Sequence, residues 1–299
     1  MRPAAAFGVA AMVGWGIAYV PSAWLVERWP PLVAAGARLT LAGLVLLGAL
    51  ALCGRPLRPG ACPMTIGWLA LTQTVLFYGA TFWGIAHAGA GLAAVLANTD
   101  PLFVAALAAG FLGERLEARQ WVGLALGLAG AAVVVWEGPA WPPALAPAGL
   151  VVVGGALAWS IGTVVAARSV RGRGEPLALA GWQMTAGGVV LIGAGLVADP
   201  GAPGLSASTL ALVVGLAVLG SAVPAGLFYL ALAIAPAAEV SSWFFLVPVI
   251  GVASAWPLLG EVPEGRLLAG LAGVAAGLWL VMSPRAGREG GLVDSAAPP

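Results

Sequence analysis

Three hydroxyl side chains, Thr74, Tyr78 and Thr81, recur at the i, i+4 and i+7 spacing that places them on one face of a helix. Such a stripe predicts the wall of a binding cavity. The alternative is that the hydroxyls bond to neighbouring backbone, as Thr does in apolar helices. Tyr78 favours the cavity, because its ring and hydroxyl suit a site that is half apolar and half wet.

Four ionisable residues in apolar surroundings are candidates for a gate or a proton site. Arg38 and Asp100 each lie about two turns into an apolar segment, so we expect an ion pair with a structural or gating role, and direct substrate contact is the alternative. His87, the only histidine, and Glu239 are candidate proton sites, with a surface or interface position as the alternative. One histidine cannot supply a metal site, so neither a metal nor a cofactor is expected.

Aromatic residues in the middle of apolar segments indicate a planar ligand. Trp15 and Trp159 are positioned to stack on such a ligand, and lipid-facing or packing roles are the alternatives. Pro101 and Pro248 predict hinges, because a proline inside a helix removes a backbone hydrogen bond. The predicted substrate-binding residues are Trp15, Tyr78, Asn98, Trp159, Tyr229, Ser241 and Ser242.

The elements that must carry these residues are helices within a membrane. Apolar residues make up 61% of the chain against 8% charged, an excess that no soluble fold can bury. The apolar stretches are roughly 20 residues long, the length at which a helix crosses a bilayer. Runs such as 41–52 and 122–135 are apolar on every face, which excludes barrel strands. Ten spans are predicted, at about 4–26, 31–52, 66–87, 91–113, 119–136, 148–168, 177–198, 207–233, 237–260 and 265–283.

The arginines predict the orientation. Ten of the thirteen lie on the side that holds both termini and two lie on the opposite side, so both termini are expected to be cytoplasmic. The expected location is a bacterial inner membrane, crossed several times. The arginines do not cluster into a basic face, which excludes a nucleic-acid partner.

An internal repeat divides the chain into 1–137, 138–284 and a disordered cytoplasmic tail, 285–299. A Gly-Glu pair and a helix proline recur 147 residues apart, and the glycines of the second span recur 145 residues later. Five spans per repeat is an odd number, so the second half enters the membrane from the opposite side. The matched positions are Gly113 with Gly260, Glu114 with Glu261, Pro101 with Pro248, Gly36 with Gly181, and Gly43 with Gly188.

The doubled motifs resemble the EamA branch of the drug/metabolite transporter superfamily. The resemblance rests on Trp15-Gly16, on the Pro101 and Pro248 helices, and on Gly113-Glu114 and Gly260-Glu261. It implies a basket in which helices 1, 3, 4, 6, 8 and 9 surround a central cavity and helices 5 and 10 lie outside it.

The function expected from these patterns is secondary transport or export of small neutral or zwitterionic metabolites, with aromatic amino acids as the preferred substrates. A drug or cation exporter of the same fold is the first alternative, and a channel or membrane chaperone is also open. An intramembrane enzyme is disfavoured because the GxSxG and HExxH motifs are absent. The absence of a Walker loop argues against ATP as the energy source.

Overall fold

The chain folds into helices throughout the residues that the computed structural model describes, which are 3–88, 93, 96–134, 146–171, 174–199, 204–259 and 265–282. Gly260, Glu261 and the tail 285–299 lie outside them. Most of the helices overlap the predicted spans, but within the predicted span 91–113 the helix Asp100–Phe111 begins only at Asp100, after a turn. Counting a helix that continues through a π or 3₁₀ turn once, they are α1 Pro3–Val26, α2 Pro31–Leu52, α3 from Pro63–Leu69 to Phe77–Ala88, α4 Asp100–Phe111, α5 Ala118–Val134, α6 Ala146–Val170, α7 Pro176–Ala198, α8 from Ala207–Ala217 to Val223–Ile234, α9 from Ala237–Ser242 to Leu246–Leu259, and α10 Gly265–Met282.

Proline and glycine mark several of the helix boundaries. Pro31, Pro63 and Pro176 occupy the first turn of their helices, where a missing N–H removes no intrahelical bond. Gly54 and Gly113, which follow α2 and α4, have φ of 65° and 68°, a left-handed conformation that glycine adopts without strain.

Three helices change their winding near the centre of the molecule. Residues Ala70–Leu76 of α3 and Val218–Ala222 of α8 are π-helical, and Trp243–Phe245 of α9 is a 3₁₀ turn. A π segment is rare and is frequently associated with a functional site, because it re-aims the side chains it carries.

The structure supports a membrane protein. Six helices among the described residues, α1, α2, α3, α6, α7 and α8, are long and apolar enough to cross a bilayer, and α4 is a shorter apolar helix. Large apolar side chains such as Leu150 and Val197 are exposed on the outside of the molecule. Such a surface suits lipid rather than water.

Two helix pairs touch through glycines. On α2 and α7, an added Cβ on Gly36 would lie 2.7 Å from the Gly188 carbonyl oxygen, and one on Gly43 would lie 2.5 Å from that of Gly181. On α5 and α10, an added Cβ on Gly277 would lie 2.6 Å from the carbonyl oxygen of Gly123. Glycine therefore allows backbone to pack directly on backbone, as small residues do in membrane helices.

The remaining helices enclose the centre of the molecule. Helix α1 packs against α8 and α9, and α6 packs against α3 and α4. The largest apolar cluster lies between these helices and includes the buried rings of Trp15, Phe77, Trp159, Phe228 and Phe244.

Neither predicted hinge proline lies deep inside a regular α-helical segment, because Pro101 follows a turn and Pro248 follows the 3₁₀ turn within α9. Asn98 and Thr99 form a turn, and α4 then begins with Pro101 in its first turn. Pro248 is the third residue of Leu246–Leu259, directly after the 3₁₀ turn of α9. Because a first-turn residue needs no N–H donor, these prolines are compatible with the helices that they begin. Their role as hinges stays a prediction.

Candidate functional site

Trp15 of α1 and Trp159 of α6 meet at the centre of the molecule, edge to face, with ring centroids 5.8 Å apart. Phe244 of α9 stacks on Trp15 at 5.1 Å, and Phe77 of α3 lies 4.7 Å from Trp159. Phe228 of α8 lies 5.5 Å from Trp15 and 5.6 Å from Trp159, and Tyr78 lies 6.3 Å from Trp159. We call the five of these rings that line the cavity described next, those of Trp15, Phe77, Tyr78, Trp159 and Phe244, the aromatic cluster. The winding change in α3 ends immediately before Phe77 and that in α9 includes Phe244.

A cavity of about 40 Å³ lies beside the aromatic cluster. A buried water needs roughly 10–15 Å³, so this space holds a few water molecules and not a metabolite. Of the predicted substrate-binding residues, Trp15, Tyr78, Asn98 and Trp159 line the cavity. The other side chains in its wall are Ala18, Tyr19, Ser22, Arg38, Phe77, Thr81, Phe82, Ile85, Ala97, Phe244 and Val247.

Arg38 lies in the cavity wall and is held by neutral groups. Its Nε donates to Ser221 Oγ at 2.5 Å, one terminal nitrogen donates to Ser22 Oγ at 2.8 Å, and the other donates to the Gly220 carbonyl at 2.5 Å. The guanidinium also lies 5.8 Å from the ring centroid of Tyr78 and 5.6 Å from that of Phe82. The side chain is 3% exposed.

Arg38 and Asp100 do not form the expected ion pair. The guanidinium points to α1 and α8, whereas Asp100 begins α4, which packs against α6. Asp100 is buried, and its Oδ2 has no hydrogen-bond partner in the described residues. Placing a charge at membrane depth costs about 2.5–3.5 kcal/mol on insertion scales. Arg38 therefore carries a buried charge that no carboxylate of the described residues neutralises.

A second polar network lies outside the cavity and includes Tyr229. Its hydroxyl donates to Oε1 of Gln73 in the π segment of α3, and Gln73 Nε2 donates to Thr163 Oγ1 at 3.2 Å. Next to Gln73, Thr74 donates to Gln183 Oε1 at 2.6 Å. These bonds join α3 to α6, α7 and α8. In this conformation Tyr229 therefore connects helices and does not face the cavity.

The other predicted site residues are spread along the structure. Ser241 and Ser242 are buried in α9, where Ser242 donates to the Glu239 carbonyl at 2.7 Å. Glu239 is half-buried in the first turn of α9. His87 is exposed at the end of α3, where its ring stacks on Trp83 with centroids 4.1 Å apart. None of these four lines the cavity.

Glu114 joins three helix ends. Its carboxylate accepts from Arg171 at 2.9 Å and from the N–H groups of Ala237 and Ala238 at 2.9 and 3.1 Å. The two backbone donors belong to the first turn of α9, where a carboxylate satisfies free N–H groups and the helix dipole. Glu114 thus caps α9 and fixes it to the ends of α4 and α6.

The sequence analysis did not predict a role for Ser22, Gln73, Thr163, Gln183 or Ser221. Each is a polar residue within an apolar span, and the repeat holds a signal for two of them. Gln183 follows Arg38 by 145 residues and Ser221 follows Thr74 by 147, and both separations occur in the repeat. The bond from Arg38 to Ser221 and that from Thr74 to Gln183 therefore join equivalent positions.

Comparison with known proteins gives the family. Residues 2–136 and 146–283 each match the profile of the EamA-like transporter family. The chain belongs to that family.

The relatives of this EamA-like transporter are named as transporters and not as enzymes. It is 31% identical over 276 residues to the "Uncharacterized inner membrane transporter YedA" of Escherichia coli (strain K12), covering 88% of this chain and 84% of the relative. It is 27% identical over 280 residues to the "Probable amino-acid metabolite efflux pump" of Salmonella typhimurium, covering 90% and 91%. A solved structure with 20% identity superposes with a TM-score of 0.79 over 93% of this chain and 97% of the other, which shows a shared fold.

Proposed function

We propose that this EamA-like transporter carries aromatic amino acids by alternating access between two inverted five-helix halves, 1–137 and 138–284. The observation that carries the proposal is the aromatic cluster beside the cavity. Trp15, Phe77 and Tyr78 come from the first half, and Trp159 and Phe244 come from the second. A ligand held between these rings would contact both halves, as a carrier that moves one half against the other requires.

The glycine contacts support the inverted repeat. Gly36 packs on Gly188, and Gly43 packs on Gly181. In the repeat, Gly181 is the equivalent of Gly36 and Gly188 is the equivalent of Gly43, 145 residues later. Replacing each glycine by its equivalent therefore turns the first contact into the second. A two-fold axis between α2 and α7 would produce this exchange.

The size of the cavity supports alternating access. At about 40 Å³ it excludes an amino acid, so transport requires the helices around it to separate. The bonds of Gln73 to Thr163 and Tyr229 join the first half to the second. With cytoplasmic termini, these bonds lie nearer the cytoplasmic ends of α3, α6 and α8 than the cavity does. We propose that they close that side.

The lining favours an aromatic substrate over a cationic drug. Indole and phenyl rings in offset or edge-to-face contact stabilise planar ligands by about 0.5–1.5 kcal/mol each beyond burial. The charged residue in the cavity wall is Arg38, which repels a cation. We infer from the sequence as a whole, and not from a diagnostic motif, a resemblance to the aromatic amino-acid exporter YddG, which agrees with this choice. The name of the Salmonella relative supports an amino-acid substrate.

Uptake into proteoliposomes tests the proposal. Purified protein is reconstituted and offered radiolabelled tryptophan, phenylalanine and alanine, first without an ion gradient and then with a proton gradient. We expect saturable tryptophan and phenylalanine uptake that excess unlabelled substrate abolishes. Flux that needs the proton gradient would direct attention to Asp100, Glu239 and His87. Absence of aromatic amino-acid flux in both conditions would contradict the proposed substrate.

A further inference from the structure

We propose that Arg38 binds the carboxylate of the substrate and makes the carrier select aromatic carboxylates over aromatic amines. The inference rests on the proposed function, since it assigns the polar end of the ligand whose ring the aromatic cluster holds. The class of ligand is a planar ring that bears a carboxylate about one side-chain length away, whether or not it also bears an amine.

The charge of Arg38 is the first observation. The guanidinium lines the cavity, is 3% exposed and is bound by two hydroxyls and one carbonyl. Among the described residues no carboxylate pairs with it. Arginine has five N–H donors, and three bonds leave two for a ligand. A carboxylate is the group that both neutralises a guanidinium and accepts from two of its donors.

The repeat shows that the helix contact does not require a charge. Gln183 occupies the position equivalent to Arg38, and its partner Thr74 is equivalent to Ser221. There a neutral amide joins α7 to the π segment of α3, as Arg38 joins α2 to the π segment of α8. Since glutamine suffices at one of two equivalent positions, the positive charge at the other needs a reason of its own. Its place in the cavity wall supplies that reason.

Two further cavity groups are available to a ligand. Thr81 Oγ1 and Trp159 Nε1 are buried, line the cavity and have no hydrogen-bond partner in the described part of the chain. Buried donors are rarely left unsatisfied, because each such group loses its water without replacement. A bound carboxylate accepts from hydroxyl, indole and guanidinium groups alike. Thr81 lies three residues after Tyr78, whose ring is close to Arg38.

Three indole ligands distinguish the contribution of the carboxylate to binding from that of the amine. Indole-3-propionate has the carboxylate without the amine, tryptamine has the amine without the carboxylate, and tryptophan has both. Their affinities are measured in detergent from the ligand-dependent rise in unfolding temperature. We expect indole-3-propionate to bind the wild-type protein at least roughly 10-fold more tightly than tryptamine, the effect of one charge-assisted contact. Equal affinities, or tighter tryptamine binding, would overturn the proposal.

The variant Arg38→Gln copies the equivalent Gln183. It keeps a donor for Ser221 and removes the charge, so the preference for indole-3-propionate over tryptamine should fall roughly 10- to 100-fold. If Arg38 had a purely structural role, the variant would bind both ligands more weakly by the same factor. An unchanged ratio of the two affinities would therefore refute the inference. If this variant does not fold, Arg38→Lys is used. Its point charge cannot bind a carboxylate with two parallel bonds, so the ratio should fall partway, and an unchanged ratio would again refute the inference.

The binding ratio tests the role of Arg38 and the transport assay tests the proposed substrate, so either proposal can be refuted without the other. If the wild-type protein moves tryptophan but shows no carboxylate preference, the proposed function stands and the role of Arg38 is wrong. If it moves no aromatic amino acid but binds indole-3-propionate through Arg38, the cavity is an aromatic carboxylate site and the proposed substrate is wrong.

Discussion

The edge of one indole meets the face of the other where Trp15 and Trp159 lie 5.8 Å apart, at an interplanar angle of 87°. The two residues are 144 positions apart in the chain, and the sequence repeat predicts that they occupy corresponding places in the two halves. Other rings already cover this pair, since Phe244 stacks on Trp15 at 5.1 Å and Phe77 lies 4.7 Å from Trp159. The planar substrate that we propose would enter by replacing one of these ring contacts.

Trp159→Ala should raise the KM for tryptophan uptake roughly 10-fold, because it removes one aromatic wall of the cavity. Trp159→Phe should raise it less, since a ring remains. Uptake kinetics in proteoliposomes provide the measurement. Trp68→Ala is the control, because Trp68 is 47% exposed and away from the cavity. Equal effects of the two alanine variants would argue against a substrate-facing Trp159.

Tyr229→Phe should destabilise the closed conformation by leaving Oε1 of Gln73 without its donor. Combined with Gln73→Leu, it should give a coupling free energy of about 0.5–2 kcal/mol, the range for polar pairs in membrane proteins. Denaturant unfolding in micelles of the single and double variants measures this quantity. Strict additivity would show that the bond does not stabilise this conformation.

Gly43→Ala should lower stability by about 1–3 kcal/mol, because the new methyl group would lie 2.5 Å from the Gly181 carbonyl oxygen and backbone cannot move aside locally. Gly48→Ala is a matched control in the same helix. Its added Cβ meets nothing within 4 Å, so its effect should be neutral or slightly stabilising. Thermal unfolding in detergent compares the two. Similar unfolding temperatures would contradict the close packing of α2 on α7.

Glu114→Ala should lower stability by about 1–3 kcal/mol, since it removes the cap of α9 and the partner of Arg171. Glu117→Ala is the control. Glu117 pairs with Arg119 at the surface, and such exposed pairs contribute about 0–1 kcal/mol. Thermal unfolding is the readout. A larger effect at position 117 would show that the cap is not the important contact.

Cys62 should react with iodoacetamide faster than Cys53 at neutral pH, although both thiols are exposed. The hydrogen bond from Thr65 lowers the pKa of the Cys62 thiol, which increases the reactive thiolate below that pKa. Thr65→Val should slow Cys62 alone, as followed by mass spectrometry. An unchanged rate in that variant would reject the role of Thr65.

The sequence predicted the helices well because each is bounded by residues with strong local effects, such as Pro31, Pro63 and Gly54. Of the seven residues that it predicted to bind substrate, Trp15, Tyr78, Asn98 and Trp159 line the cavity, and their role in binding stays a prediction. The partners of Arg38 could not be predicted by the same means. Its bonds depend on how α2 is rotated against α8 and on the π segment that presents Gly220 and Ser221, and neither leaves a local pattern in an all-apolar helix.

Tyr229 shows the same limit. A tyrosine in an apolar span indicates a polar environment, but the choice between a substrate and Gln73 as its partner is decided by the π segment of α3. Asp100 was expected near Arg38 from its depth alone. Depth fixes a height in the bilayer and leaves the direction around the helix axis undetermined. The two residues contact different neighbours, because Arg38 donates to Ser221 and the backbone carbonyl of Asp100 accepts from Ser160.

The glycine contacts of α2 with α7 and of α5 with α10 have a mechanical consequence. Each joins a helix of residues 1–137 to one of residues 138–284, and the four glycines Gly43, Gly181, Gly123 and Gly277 bring main chain of one helix close to main chain of the other. Interlocked side chains must change rotamer before two helices slide, whereas smooth surfaces pivot without that barrier. If the protein works by the alternating access that we propose, we therefore expect the two halves to pivot along these two lines of contact while the rings between them exchange partners.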